Sequence, residues 1–201
     1  MAPEDKVRWD KKHAKNEMPH TPIELVTQYA SLAPNKYALD IACGNGRHSK
    51  YLVSQGFHVD ALDISSVAID NLQGIPGIHA KEVDFDTYQL PVEKYDLIVK
   101  VYFLKRKLFS QMIDALRPGG ILIIETFVHH PDNERAPSNP AFRLNQGELE
   151  AVFSDLCEII HLNEYWEQDY MGYKTMKASM VARKKSPDAE DHELFSYTLK
   201  E

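Results

Sequence analysis

Three aspartates carry the first chemical signal in this chain. Asp40 lies in the apolar run YALDIA (Tyr37 to Ala42), Asp63 closes FHVDALD, and Asp84 closes HAKEVD. Each of these runs reads as a strand, so each acid stands at or near a strand end. The first run leads into CGNG, with Gly44 and Gly46 around Asn45. Glycines at these places let backbone approach a ligand closely, where a Cβ would intrude. The helix that starts near Arg47 adds unpaired amides at its positive end. A dinucleotide fingerprint wants a third glycine where this chain carries Ser49. Asp40 is therefore placed to accept from a cationic amine, Asp63 to meet ribose hydroxyls, and Asp84 to accept from an adenine amino group. Asp86 follows Asp84 by two residues, and one register step exchanges them. Acids at three successive strand ends make a cradle for a positively charged nucleoside, not for a pyrophosphate.

A second group of residues stands where an acceptor would approach. Tyr102 and Phe103 directly follow the strand YDLIVKV, and His129 and His130 follow ILIIETF. Adjacent histidines point apart on an extended chain, so at most one of them faces a cleft. Tyr102, His129 and His130 are the candidates for proton transfer, and Arg143 for holding an anionic substrate or pairing with a surface acid. Lys100, Lys105, Arg106 and Lys107 form a charge run whose ordinary reading is a solvated helix start. Cys43 reads as a small packing residue in the turn, and Trp9 as a lid residue or an anchor for the first segment.

The elements that must position these groups alternate. TPIELVTQYASLAP opens with Thr21 three residues before Glu24, the pattern of a capping box. RHSKYLVSQ reads as a helix closed by Gly56, and SSVAIDNLQ as a helix capped by Ser65. Leu108, Phe109, Met112, Ile113 and Leu116 recur at helical spacing until Arg117-Pro118-Gly119-Gly120 ends the run. A long segment, Val128 to Leu144 with three prolines, reads as an irregular loop facing the acceptor. A last helix is expected from Asn145, with Glu148 three residues on. The strands around CEIIHLNEYW and TMKASMVAR have no helix between them and form an antiparallel hairpin. Alternating β and α with nearly continuous apolar strands means an α/β fold, a mostly parallel sheet of seven strands with helices on both faces.

Composition sets the outer bounds. The chain has 201 residues, 43% hydrophobic and 26% charged, enough for one domain with a real core. We divide it into an N-terminal segment (1–35), the main domain (36–185) and an acidic tail (186–201). A net charge of -7 argues against a general nucleic-acid or anionic-membrane binder. Two cysteines give neither a disulfide framework nor metal-ligand spacing, so no metal is expected and a reducing, cytoplasmic setting is. No run is long enough to span a membrane, and the first residues lack the apolar core of a signal peptide.

Taken in order, LDIACGNGRHSKYL, VDALDIS, VDFDTY, YDLIVKVYFL and LRPGGILIIETF resemble the motifs of class I S-adenosylmethionine-dependent methyltransferases. Within that superfamily the chain looks most like the tellurite-resistance and thiopurine-type small-molecule enzymes, to which VRWDKKHA and NPAFRLNQGELEAVF also correspond. The resemblance runs from Trp9 to Lys184 and departs at Ala42, where the commonest motif has glycine. It implies a Rossmann-like sheet of order 3-2-1-4-5-7-6 with the last strand antiparallel. It implies S-adenosylmethionine as cofactor, held by Asp40, Ala42, Gly44, Asn45, Gly46, Asp63, Ile64, Asp84, Phe85 and Lys100, with Trp9 and the first segment as cover. It also implies a small-molecule acceptor with a soft nucleophile (thiol, selenium or tellurium) near Tyr102, Phe103, His129 and Arg143. A sulfonium donor is already activated, so alignment and exclusion of water suffice and no catalytic triad is needed. A nicotinamide-dependent oxidoreductase would use the same sheet, but Ser49 and the closing hairpin speak against it. A non-catalytic S-adenosylmethionine-binding regulator would keep the same motifs.

Overall fold

A computed structural model of the chain describes residues 3–15, 18–169 and 171–186. The expected acidic tail, from residue 187 on, lies outside the described residues. Seven strands form one sheet: β1 (Tyr37–Ile41), β2 (His58–Asp63), β3 (Ile78–Glu82), β4 (Tyr95–Val101), β5 (Leu116–Phe127), β6 (Cys157–Gln168) and β7 (Lys174–Lys184). Their order is β3-β2-β1-β4-β5-β7-β6. The first five pair in parallel, and β7 runs antiparallel to both of its neighbours. The helices are α1 (Pro3–Ala14), α2 (Glu24–Tyr29), α3 (Arg47–Ser54), α4 (Ser66–Asp70), α5 (Leu108–Ala115) and α6 (Glu148–Phe153).

The apolar strands explain the layering. All residues of β4 are buried, and alternate side chains leave a strand on opposite faces. Leu97, Val99 and Val101 pack with Leu25 and Val26 of α2 and Leu52 of α3. Ile98 joins Leu108 and Met112 of α5 and Leu149 and Phe153 of α6 on the other face. Each such side chain contributes about 1.5–3 kcal/mol by leaving water. Ile69 and Leu72, in and just after α4, close the β2–β3 edge over Ala61 and Ala80. Among the described residues no helix is long and apolar enough to cross a membrane.

Two local expectations are corrected. No capping box forms at Thr21: α2 starts at Glu24 behind an extended Ile23 with no side-chain cap, and the Thr21 carbonyl accepts from Arg47 Nη1 at 3.3 Å. The helix expected from Asn145 starts at Glu148, because Gly147 takes a left-handed φ of 71°. Glu148 Oε2 still accepts the Asn145 amide at 2.8 Å, as half of a capping box would. The segment from Val128 to Leu144 is irregular as expected, with one 3-10 turn at Pro140–Phe142. Asn133 ties it to β7, its Nδ2 donating to the Val128 carbonyl at 2.8 Å and its Oδ1 accepting from the Met176 amide at 2.7 Å. Ser65 also caps α4 as expected, its Oγ accepting from the Ala68 amide.

Candidate functional site

Strand order reverses between β1 and β4, the place where open α/β sheets hold their ligands. A cleft opens there at the carboxyl ends of β1, β2 and β4. The turn after β1 is built from left-handed backbone: Ala42 has φ 56°, Gly44 φ 53° and Gly46 φ 72°. That is the physical reason for a glycine at position 42 in the commonest motif. Alanine there bears a strain of about 1–2 kcal/mol. Ala42, Gly44 and Asn45 line the cleft, but Gly46 does not. A Cβ on Gly46 would come within 2.5 Å of Leu72 Cδ2, so this glycine serves helix packing and not close approach of a ligand. Asn45 Nδ2 donates to the Pro19 carbonyl at 3.0 Å, joining the turn to the segment before α2.

Two of the three acids reach the cleft. Asp40 is 1% exposed, and its Oδ2 accepts from both the amide (3.1 Å) and the hydroxyl (2.6 Å) of Ser49. The serine that replaces the third glycine is thus the partner of the first acid. Burial pushes the Asp40 carboxyl up to about 7, against the pull of the Ser49 bonds and with a further push from Asp63. Asp63 is held by two amides, Gly44 on Oδ2 and Ser65 on Oδ1, both at 2.9 Å. Burial raises it as well, opposed by those bonds and by His13. Asp84 stands outside the cleft lining. Its Oδ1 accepts the Asp86 amide at 2.8 Å in a tight turn, and it is Phe85, fully buried, that faces inward.

Ile64, Phe85 and Phe103 give the cleft an apolar slot, with the two rings tilted against each other at 5.5 Å. Tyr102 forms the neighbouring wall. Its backbone is left-handed, φ 54°, and its hydroxyl donates to Glu125 Oε1 at 2.6 Å while accepting from Lys177 Nζ at 2.8 Å. Burial and the Glu125 carboxylate raise its pKa far above neutral. With its hydroxyl bonded to Glu125, Tyr102 stands as a wall of the cleft. The Lys177–Glu125 support, with Glu167 bonded to Lys177, escaped the sequence reading, because charged residues at alternate strand positions look solvent-facing.

The remaining predicted residues lie elsewhere. Lys100 is fully buried, and its Nζ donates to the Phe103 carbonyl at 2.8 Å and sits over the Phe109 ring, away from the cleft. Burial lowers its pKa to about 7. It shapes the Tyr102-Phe103 bend and is not among the residues lining the cleft. His129 is exposed, His130 packs edge-on against Trp166 at 4.9 Å, and neither lines the cleft. Arg143 is also absent from it, its carbonyl accepting from Arg106 Nη2 at 3.0 Å.

The cover comes from the N-terminal segment. Trp9 lines the cleft, and α1 is fastened by Asp10, whose Oδ1 accepts from Ser65 Oγ at 2.6 Å. Lys6 Nζ adds bonds to Glu82 at 2.5 Å and to the Ile64 carbonyl at 3.2 Å. His13, Met18, Arg47 and His48 also line the cleft, and the sequence reading did not single them out as ligand contacts. For Arg47 and His48 a signal existed, since they open the helix that follows the glycine turn. Among the described residues no group of three or more His, Cys, Asp or Glu is gathered as for a metal ion.

The profile of the family described as Tellurite resistance protein TehB matches residues 7–175. Probable thiol methyltransferase 2 of Arabidopsis thaliana is 32% identical over 137 residues, covering 61% of this chain and 58% of that protein. Malonyl-(acyl-carrier protein) O-methyltransferase 2 of Ilyobacter polytropus is 33% identical over 102 residues, covering 44% of this chain and 38% of that protein. The match thus spans less than two thirds of either relative's length. Among solved structures, TehB from Haemophilus influenzae has a TM-score of 0.73 at 25% identity, covering 88% of this chain and 67% of that one.

Proposed function

The chain belongs to the TehB family of tellurite resistance proteins, and from that membership we propose a function. It moves the methyl group of S-adenosylmethionine to a small-molecule acceptor whose nucleophile is soft, a thiol or a selenium or tellurium species. One observation carries the donor. Two buried carboxylates, Asp40 and Asp63, face a single cleft, and burial has raised both. Each is costly as an anion until a cation arrives. A nucleoside with a sulfonium and an ammonium answers that need, whereas a pyrophosphate would add repulsion. In this reading Asp63 takes the ribose, Asp40 and Arg47 the amino-acid end, and the Ile64-Phe85-Phe103 slot the adenine. The donor supplies an activated methyl, and the protein's residues align the partners and exclude water.

The soft acceptor is favoured by the state of two groups in the cleft lining, Tyr102 and His48. Tyr102 holds its proton, and burial lowers His48 to about 3 while its Nε2 accepts weakly from the Ile23 amide at 3.4 Å. A thiol ionises near neutral pH and needs little help, while an alcohol or amine would need a base. The Arabidopsis relative is itself named a probable thiol methyltransferase. Two free, buried cysteines accord with a cytoplasmic setting.

The test is formation of S-adenosylhomocysteine with thiol, selenide and alcohol acceptors side by side. We expect turnover with the first two, and a raised melting temperature with S-adenosylhomocysteine but not with NAD. His129→Ala and His130→Ala should each lower turnover by less than about tenfold, below the 10²–10⁴ contribution of a true base. A thousandfold drop with donor binding intact would redraw the acceptor toward oxygen or nitrogen.

A further inference from the structure

We infer that His13 is a donor-contacting residue whose imidazole hydrogen-bonds a ribose hydroxyl beside Asp63. The inference rests on the donor reading above and deepens it. His13 sits in the last turn of α1, is 6% exposed and lines the cleft. Its Nδ1 is buried and has no hydrogen-bond partner among the described residues. Buried polar atoms in folded proteins are almost always paired, so an orphan on a residue that lines a cleft marks a place for a ligand atom.

Position narrows which atom. His13 Cε1 lies 3.1 Å from where a Gly44 Cβ would be, and the Gly44 amide is the group bonded to Asp63 Oδ2. Imidazole, glycine and carboxylate are therefore contiguous. Trp9, stacked on His13 at 6.0 Å and 28°, holds the ring's orientation. The charges that face it are Asp63 from the end of β2 and Asp10 and Lys12 from its own helix. The two acids favour an imidazolium; burial and Lys12 oppose it, and burial wins. A neutral imidazole offers one N–H and one lone pair. A hydroxyl both donates and accepts, so a ribose hydroxyl satisfies a ring nitrogen in either tautomer, whereas an ammonium or a carboxylate satisfies only one. A plain helix anchor would need no nitrogen here, since any apolar ring would cover Gly44 as well.

The test is a double cycle that crosses a protein change with a ligand change. Calorimetry on wild type and H13F would use S-adenosylhomocysteine and its 2′-deoxy and 3′-deoxy analogues. H13F keeps a ring against Trp9 and removes the nitrogen. We expect H13F to bind S-adenosylhomocysteine about tenfold more weakly, the scale of one lost hydrogen bond. Wild type should lose about as much with one deoxy analogue, and H13F should lose nothing further with that same analogue. H13L repeats the cycle with a smaller apolar side chain, so a folding failure of H13F leaves it measurable. Unchanged affinity in the variants, or losses that multiply in full for both analogues, would overturn the assignment. If wild type binds no S-adenosylhomocysteine, the donor reading fails and takes this one with it. If wild type binds and the variants bind equally, only His13 is excluded.

Discussion

Asp63→Ala is expected to weaken binding of S-adenosylhomocysteine by a hundredfold or more. In the proposed site this carboxylate accepts from ribose hydroxyls, and bonds to a charged group contribute about 1.5–3 kcal/mol each. It also fixes the amides of Gly44 and Ser65 at 2.9 Å, so its loss slackens the turn as well as the ligand contact. Asp63→Asn separates the two effects. An asparagine oxygen still accepts one of those amides but lacks the charge, so its affinity should fall between those of wild type and Asp63→Ala. Calorimetric titration of the three proteins at one pH reads the difference. Wild-type affinity in Asp63→Ala would move the donor site off β2 altogether.

Gly46→Val should be the most damaging single change to the fold near the cleft. A Cβ there falls 2.5 Å from Leu72 Cδ2 and 2.9 Å from Cδ1, and Leu72 is fully buried. The φ of 72° adds a conformation that β-branched residues shun. Overpacking costs about 1–3 kcal/mol and the left-handed backbone about 1–2 more, a large part of a typical domain's stability. Gly44→Val should be milder for the fold, because its contact is a 3.1 Å approach to His13 on the covering helix. Thermal melting of both variants decides the ranking, and a wild-type melting temperature for Gly46→Val would contradict it.

These rankings show where sequence reasoning stops. The sheet was legible because its strands are nearly unbroken apolar runs separated by turn signals, and the hairpin because no helix fits between Cys157 and Lys184. Asp40, Asp63, Phe85, Tyr102 and Phe103 could be placed at the cleft because a residue at a strand's carboxyl end has few other places to go. Asp84 stands outside the cleft lining, while Phe85, expected beside it, faces inward. The pattern at Gly46 was visible, but its cause, Leu72, is a contact across twenty-six residues that no local signal announces. Lys100 reads as the start of a charge run, yet it is buried at the end of β4, where a carbonyl from its own bend receives it. His13 was missed because α1 is mostly polar, and one buried histidine there leaves no periodic trace.

The fastening of α1 has a consequence for timing. Ser65 Oγ caps α4 and at the same time donates to Asp10, so lifting the covering helix strips a bond from a neighbouring helix cap. Another of its ties, the Lys6–Glu82 pair, is partly exposed and weak on its own. With the nucleoside proposed to lie beneath α1 and the acceptor to enter past Tyr102, the two ligands would use different doors. The acceptor would come and go freely, and the spent nucleoside would wait for the helix. Turnover would then be paced by the departure of S-adenosylhomocysteine and not by methyl transfer, as in many enzymes where release is the slow step. Such an enzyme delivers its first product in a fast burst and every later one at the pace of the latch, and rapid-mixing measurements would register the difference. A linear first turnover would place the slow step elsewhere.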